Sequence, residues 1–398
     1  MCMSSKVTIK MIAEKANISI GTVDRALRNR PGINQGTKER ILKLAQELGY
    51  SANPLASALS RKKTIRIAAV YPIAPTYFFG HLGRGVAAAQ KELDDFGIEV
   101  DYVCSATGNQ VDQEEILNAT DWSLYDGIVI NVCGNEITRY INGFIDNGKA
   151  VVTFDADSPS SKRLFFVGHD SRKSGRLGGE LMGKMLQGHG KVIVLGSFIS
   201  APSFIERYGG FCEVIQSEYP GISVYPCAEY CGDHKAASQI ISNVLREMPD
   251  VRGIFSTGTS GTIGAAEVVK QNNIKNITVI GYDLTSQIQE ALQNGWCSAT
   301  LYQDPFTQGY QAVRLLARHL LEGWIPTQSR LLVNTRVILK HNIETEEYLD
   351  NVIHGSKLSH RTVELTDSNS GYPRNDYIEN ADIPMSMHPV RKEPLNDS

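Results

Sequence analysis

The stretch TIKMIAEKANISIGTVDRALRNRPGINQGTKERILKLAQELGY, residues 8–50, decides how this chain is read. Three short helical patterns fit inside it. Thr8 is placed to cap IKMIAEKA, whose Ile9, Ile12, Ala13 and Ala16 fall on one face. Asn17 breaks that pattern. Ser19 is placed to cap IGTVDRALR, with Val23, Ala26 and Leu27 turned inward. Asn34 is placed to cap a third helix with Ile41, Leu42, Ala45 and Leu48 as its stripe and Gly49 as its stop. Two helices of about eight residues, joined by a tight turn and braced by a third, make a helix-turn-helix unit, which lays its second helix in a DNA groove.

Charge supports that reading. Residues 1–63 carry twelve Lys and Arg against four Asp and Glu, whereas the whole chain has 40 and 43 and a net charge of −3. A basic head on an acidic body fits a head that meets phosphate. With 398 residues, more than one domain is expected. No apolar run reaches the roughly 20 residues of a membrane span. The N-terminus MCMSSKVTIK has no apolar signal core, so a cytoplasmic protein is expected, and seven irregularly spaced cysteines are read as reduced thiols.

The run from Thr8 through the following SANPLASAL closely resembles the DNA-binding head and hinge of the lactose-repressor-like (LacI/GalR) family over more than fifty positions. The resemblance implies that Ile20 and Gly21 start the recognition helix, with Ser19, Thr22 and Arg25 among phosphate and base contacts and Thr8, Arg28 and Asn34 close by. It implies that a hinge helix at 51–63 pairs with its copy in the minor groove, Leu59 wedging a base step and Ala56 packing closely. A homodimer on a near-palindromic double-stranded operator follows. Asp24 departs from the pattern, where serine is commonest. A carboxylate there has three readings: it accepts from cytosine N4, it orients Arg25 or Arg28, or it faces the protein.

From Ile65 onward short apolar strands alternate with helices, from IRIAAVYP (65–72) to CSATLYQD (297–304), ten strands in all. Such alternation predicts parallel sheets in doubly wound layers, here two sheets of about five strands, with ligands beyond the strands' carboxyl ends. Those ends carry Thr76, Phe78, Phe79, Asp155, Asp157, Arg207, Asp283 and Gln303. The motifs FDADS, FFVGHDSRKSGRLGGEL, ERYGGF, VIGYDLT and ATLYQDPFTQGYQAVRLL resemble ribose-type periplasmic sugar-binding proteins and the effector domain of the same repressors. That resemblance implies an α/β two-lobed body of the periplasmic-binding-protein type I class at 64–341. Phe78 and Phe79 would cover a sugar's apolar faces, and Asp155, Arg207, Asp283 and Gln303 would bond its hydroxyls. Three positions depart from the pattern: Gly258 and Thr259 replace an Asn-Asp pair that many members carry, and His234 stands where several sugar binders have an aromatic. Gly258 would leave room for a larger ligand.

Other signals are weak. GTSGTIG and GHLGRG lack the GK[ST] of a phosphate loop. Cys227, Cys231 and His234 lack a second ligand pair, so no metal or cofactor is expected. No GxSxG or catalytic triad is visible, which argues against a sugar-processing enzyme. Residues 342–398 are polar and unpatterned and are read as a disordered tail. The expectation is a DNA-binding transcriptional regulator, most simply a repressor, that senses a sugar or sugar derivative. The alternatives are a transport solute-binding protein and a DNA-binding protein with a non-sugar effector.

Overall fold

The computed structural model describes residues 7–27, 31–48, 64–74, 76–197 and 202–343. It divides into two compact units, Met1–Lys63 and Thr64–Ser398. Arg28, the stop at Gly49, the hinge with Ala56 and Leu59, and the tail beyond residue 343 lie outside the described residues.

The head contains three helices, α1 (Ile9–Ala16), α2 (Ile20–Leu27) and α3 (Gln35–Glu47). Thr8 accepts from the Met11 amide at 3.3 Å, Ser19 from the Thr22 amide at 3.2 Å, and Asn34 from the Gly36 amide at 2.9 Å. Each bond satisfies one amide that the first turn cannot pair internally. Asn17 ends α1 in the left-handed region at φ 53°, which asparagine tolerates better than most residues. Ile12, Ala13, Val23, Ala26, Ile41 and Ala45 form the core. Leu42, expected in that core, is exposed; Leu44 packs there instead. Arg40 donates to the Ala16 carbonyl at 3.1 Å, tying α3 to the C-terminus of α1.

The body has two lobes, each built on a six-stranded sheet. The first lobe contains β1 (Ile65–Pro72), α4 (Thr76–Leu93), β2 (Ile98–Ser105), α5 (Gln110–Ala119), β3 (Gly127–Ile130), α6 (Ile137–Asp146), β4 (Ala150–Phe154) and β5 (Phe165–Gly168). The second contains α7 (Ser171–Met185), β6 (Gly190–Gly196), α8 (Pro202–Glu218), β7 (Ile222–Glu229), α9 (His234–Glu247), β8 (Val251–Ser256), α10 (Thr259–Gln271), β9 (Thr278–Tyr282), α11 (Ser286–Asn294) and β10 (Ala299–Tyr302). The chain then returns through α12 (Pro305–Glu322) and β11 (Arg330–Leu332) before ending on β12 (Arg336–Ile338).

The first sheet runs β11-β5-β4-β3-β1-β2, all parallel; the second runs β12-β10-β9-β8-β6-β7, with β12 alone antiparallel to its neighbour. The chain therefore passes between sheets three times, at residues 169–170, 303–304 and 333–335. Central strands such as GIVI and AVVTF are apolar because helices cover both faces of the sheet. The ten strands read from the sequence are present. The sixth strand of each sheet, β11 and β12, was not read, because three-residue strands at a sheet edge carry no periodic signal.

Close helix packing sets the site. A side chain at Gly85 or Gly309 would run into the Phe306 or Leu82 carbonyl, so α4 and α12 meet backbone to backbone. Gly175 and Gly210 do the same for α7 and α8, against the Arg207 and Arg172 carbonyls. That contact draws the backbone of α8 at Arg207 in against α7.

Candidate functional site

In the head, α2 presents its first turn outward. Ile20 is 53% exposed, an unusual position for isoleucine, and nothing lies within 4 Å of where a Cβ would stand on Gly21. Arg25 is exposed. Ser19 and Thr22 share a hydroxyl hydrogen bond of 2.9 Å. Asp24 is half-buried and engaged by the protein rather than free.

In the body, the same frame recurs at the carboxyl ends of both sheets. Asp155 follows β4 and Asp283 follows β9, the fourth strand of each lobe. Both adopt the left-handed region, at φ 60° and 67°, which costs a non-glycine residue energy and marks a constrained site. The Asp155 amide donates to the Val167 carbonyl at 3.0 Å, and the Asp283 amide to the Leu301 carbonyl at 3.1 Å. Each carboxylate also accepts from the segment after its lobe's third strand. Asn131 Nδ2 donates to Asp155 at 2.8 Å, and the Thr259 hydroxyl donates to Asp283.

Arg207 stands among these groups. Its Nη1 donates to the Thr257 carbonyl at 2.6 Å; its Nη2 reaches Gln303 Oε1 at 2.5 Å and His169 Nε2 at 3.0 Å. Gln303 in turn donates to Asp283 at 2.7 Å. The guanidinium lies 4.1 Å from the Tyr282 ring centroid, a cation–π contact. His169 and Gln303 sit in two of the three crossings, so Arg207 links strand ends to the segments about which the lobes would turn. Its Nε is buried without a partner.

Burial sets the proton affinities. It pushes the Asp155 carboxyl up to about 7; Arg207 opposes that rise and Asp283 adds to it. Part of Asp155 still reaches solvent, but the density of surrounding protein dominates. Asp283 is also raised by burial, opposed by Thr259, Arg207 and Gln303. Burial holds His169 well below its usual range and lowers His81 to about 4, with Arg84 adding to the latter. Both imidazoles are neutral near pH 7.

The other expected residues fall differently. Phe78 packs into the core of the first lobe; Phe79 is half-buried against it, edge-on at 5.1 Å. Thr76 opens α4, and its side chain is not among those described. His234 faces a neighbouring helix. It is the first residue of α9, and Nε2 points to Glu267 Oε1 on α10 at 3.7 Å. The space expected beside Gly258 is narrowed on one side: a Cβ there would lie 3.0 Å from the Tyr230 hydroxyl. Asp157 forms a bidentate pair with Arg163 at 2.5 and 2.6 Å and braces the first lobe.

Three residues that sequence reasoning passed over join the site. Asn131 follows a strand as the chosen residues do, and is buried. Thr259 was noted only as half of a missing Asn-Asp pair, yet it holds Asp283. Tyr77 lies between Thr76 and Phe78, and its hydroxyl bonds Ser260 of the opposite lobe at 2.7 Å. Tyr77 is the third residue to consider because only the observed helix phase distinguishes it from its aromatic neighbours.

Comparison with known proteins agrees with this geometry. Residues 8–53 match the family of bacterial regulatory proteins, lacI family, and residues 67–323 match the periplasmic binding protein domain. The chain is a transcriptional regulator of the lacI family. Its body belongs to the periplasmic-binding-protein domain family. The regulator is 22% identical over 327 residues to catabolite control protein A of Priestia megaterium, covering 79% of this chain and 92% of that protein. It is 23% identical over 305 residues to the ribose import binding protein of Salmonella typhimurium, covering 76% and 99%. The glucose-galactose binding protein GanP of Geobacillus stearothermophilus superposes with a TM-score of 0.65 at 26% identity, covering 71% of this regulator and 99% of that chain. Among the described residues, no helix is long and apolar enough to cross a membrane.

Proposed function

We propose that this regulator is a cytoplasmic homodimer that binds a near-palindromic operator and represses transcription until a sugar or related polyol enters the cleft between its lobes. In the head, Ser19, Ile20, Gly21, Thr22 and Arg25 carry the DNA contact, supported by Thr8, Arg28 and Asn34; Ala56 and Leu59 act in the hinge. In the body, Asp155, Arg207, Asp283 and Gln303, with Asn131 and Tyr77, take the ligand's hydroxyls and faces. The likeness to a ribose import binding protein and a glucose-galactose binding protein supports the ligand class.

One observation carries the coupling. Arg207 joins His169 and Gln303 in two lobe crossings while Gln303 holds Asp283. A ligand that reorganises hydrogen bonds here changes the side chains that set the crossings. Effector and operator sites are then coupled by about 1–3 kcal/mol.

A thermal-shift screen of the full chain against pentoses, hexoses, polyols and their phosphates tests the ligand class. A ligand at about 100 times its dissociation constant adds roughly 2.7 kcal/mol, worth several degrees of melting temperature. The hit should then release the protein from operator DNA in a gel-shift assay. A ligand that tightens DNA binding would instead make the regulator co-repressed. Absence of any shift across the screen would sink the sugar reading. Asp24→Ser tests the head: relaxed preference at one base pair identifies direct reading of cytosine, a uniform affinity change identifies an orienting role for the carboxylate, and no change removes both.

A further inference from the structure

The charge balance of the cleft narrows the ligand further, and this step rests on reading the cleft as the effector site. Asp155 and Asp283 have no cation within 4 Å among the described residues, although Asp157 nearby has Arg163 in bidentate contact. The two carboxylates differ in how well they are satisfied. Asp283 accepts from Thr259 on one oxygen and Gln303 on the other. Asp155 accepts from Asn131 on one oxygen, and its other oxygen has no hydrogen-bond partner among the described residues. Burial raises this carboxyl to about 7 and Arg207 opposes the rise, so a cationic donor brought by the ligand to the open oxygen would hold it in its ionised, accepting form.

The cationic side of the cleft is already engaged. Arg207 directs both terminal nitrogens to Thr257, Gln303 and His169 and lays its face on Tyr282. His169 and His81 are neutral near pH 7 and add no positive charge. Tyr77 is neutral as well, its hydroxyl raised by burial. Helix N-termini attract anions, but three that follow strands or crossings hold a carboxylate of the chain itself. Asp170 accepts from the Lys173 amide at 2.9 Å, Asp233 from the Lys235 amide at 2.8 Å and Asp304 from the Thr307 amide at 3.1 Å. A phosphate or carboxylate ligand would enter beside two acidic groups; Arg207, the guanidinium that acts on both of them, is already bonded elsewhere, while Arg330 and Arg84 act on His169 and His81.

We infer that the cleft selects a polyhydroxyl ligand with no anionic group and prefers one bearing an ammonium, so an amino sugar binds more tightly than the matching neutral sugar. The ammonium would sit against the open oxygen of Asp155, with Asp283 adding long-range attraction. Hydroxyls of the same ligand take Arg207 Nε and the remaining donors. A charge-assisted bond is roughly twice as strong as a neutral one, so a preference of about tenfold is expected.

Isothermal titration of the full chain with glucose, glucosamine, galactose, galactosamine, glucose-6-phosphate and glucuronate tests this. In at least one pair the amino sugar should bind about tenfold more tightly than its parent, and the two anionic sugars should bind most weakly. Asp155→Asn, nearly isosteric, should bring the amine-to-parent ratio close to one. Should that variant fail to fold, the ratio in the unmodified protein decides alone. Equal affinity within each pair, or tightest binding by the phosphate or the uronate, overturns the charge selectivity while leaving a sugar sensor standing. Absence of heat and of thermal shift with all six and with the wider sugar screen overturns both readings.

Discussion

Asp155 and Asp283 occupy the same place in two lobes of the same design, yet their surroundings differ. Each follows the fourth strand of its sheet, each is left-handed, and each amide bonds the carbonyl of the neighbouring fifth strand. Asp283 is buried and has both oxygens satisfied by its own lobe and by Gln303 of a crossing. Asp155 has one bond from Asn131 and keeps contact with solvent. A repeated backbone frame thus serves two purposes. In the second lobe the carboxylate is built into the network that holds Arg207 and the crossing; in the first it is left able to accept. The lesson is that equivalent positions in duplicated lobes need not share a role, because hydrogen-bond saturation is set by the side chains around them.

The largest effect is expected where saturation is greatest. Asp283→Ala would strand Thr259 and Gln303 in a buried site, each an unpaired polar group costing about 1–3 kcal/mol. Chemical denaturation should show a loss of several kcal/mol, and sugar binding should disappear. If Asp155→Ala proved as destabilising, the contrast between lobes would be wrong.

The second test uses protons. Asp155 titrates at about 7 in the folded protein, above the ordinary 3.8. The folded state then binds more protons than the unfolded one between those values, so this group's contribution to stability is full in acid and is lost as pH rises through 7. The melting temperature of the unmodified protein should fall between pH 5 and pH 8 more steeply than that of Asp155→Asn. Equal slopes would place Asp155 in a more hydrated setting than its surroundings indicate.

A smaller effect is expected at the contact between the lobes. Tyr77→Phe removes one hydroxyl bond to Ser260, worth about 1 kcal/mol. The melting temperature should drop only slightly, while hydrogen exchange near residue 260 quickens because the two lobes lose a tie. The smallest concerns Gly258. Gly258→Ala brings a methyl to 3.0 Å from the Tyr230 hydroxyl, so a modest loss of stability is expected. A large gain in stability would show that the space beside Gly258 is open.

Much of this was legible beforehand. The caps at Thr8, Ser19 and Asn34 and the ten long strands follow from local chemistry: a short polar side chain before an apolar stripe, and apolar runs of fixed length between turns. Asp155, Arg207, Asp283 and Gln303 were legible because polar residues directly after apolar strands have few other places to point. Leu42 is exposed because it lies about 100° round α3 from Ile41, whereas Leu44, about 60° away on the other flank, stays within reach of the core. The approach of His234 to Glu267 was not legible because the two residues lie 33 positions apart on neighbouring helices. Tyr77 was passed over because one residue of helix phase, 100° of rotation, separates an aromatic facing the other lobe from one in the core.

The sequence by itself determined the two-part design: a basic three-helix head and an acidic body of strands alternating with helices. Periodicity, capping and charge are local properties, and nothing distant needs to be known to read them. Only the tertiary structure decided which carboxylate is saturated and which is open, that Arg207 ties the crossings to the strand ends, and that the Tyr230 hydroxyl stands beside Gly258. These depend on contacts between residues 20 to 96 positions apart, brought together when glycines let helices meet and three crossings bring the two sheets' carboxyl ends face to face.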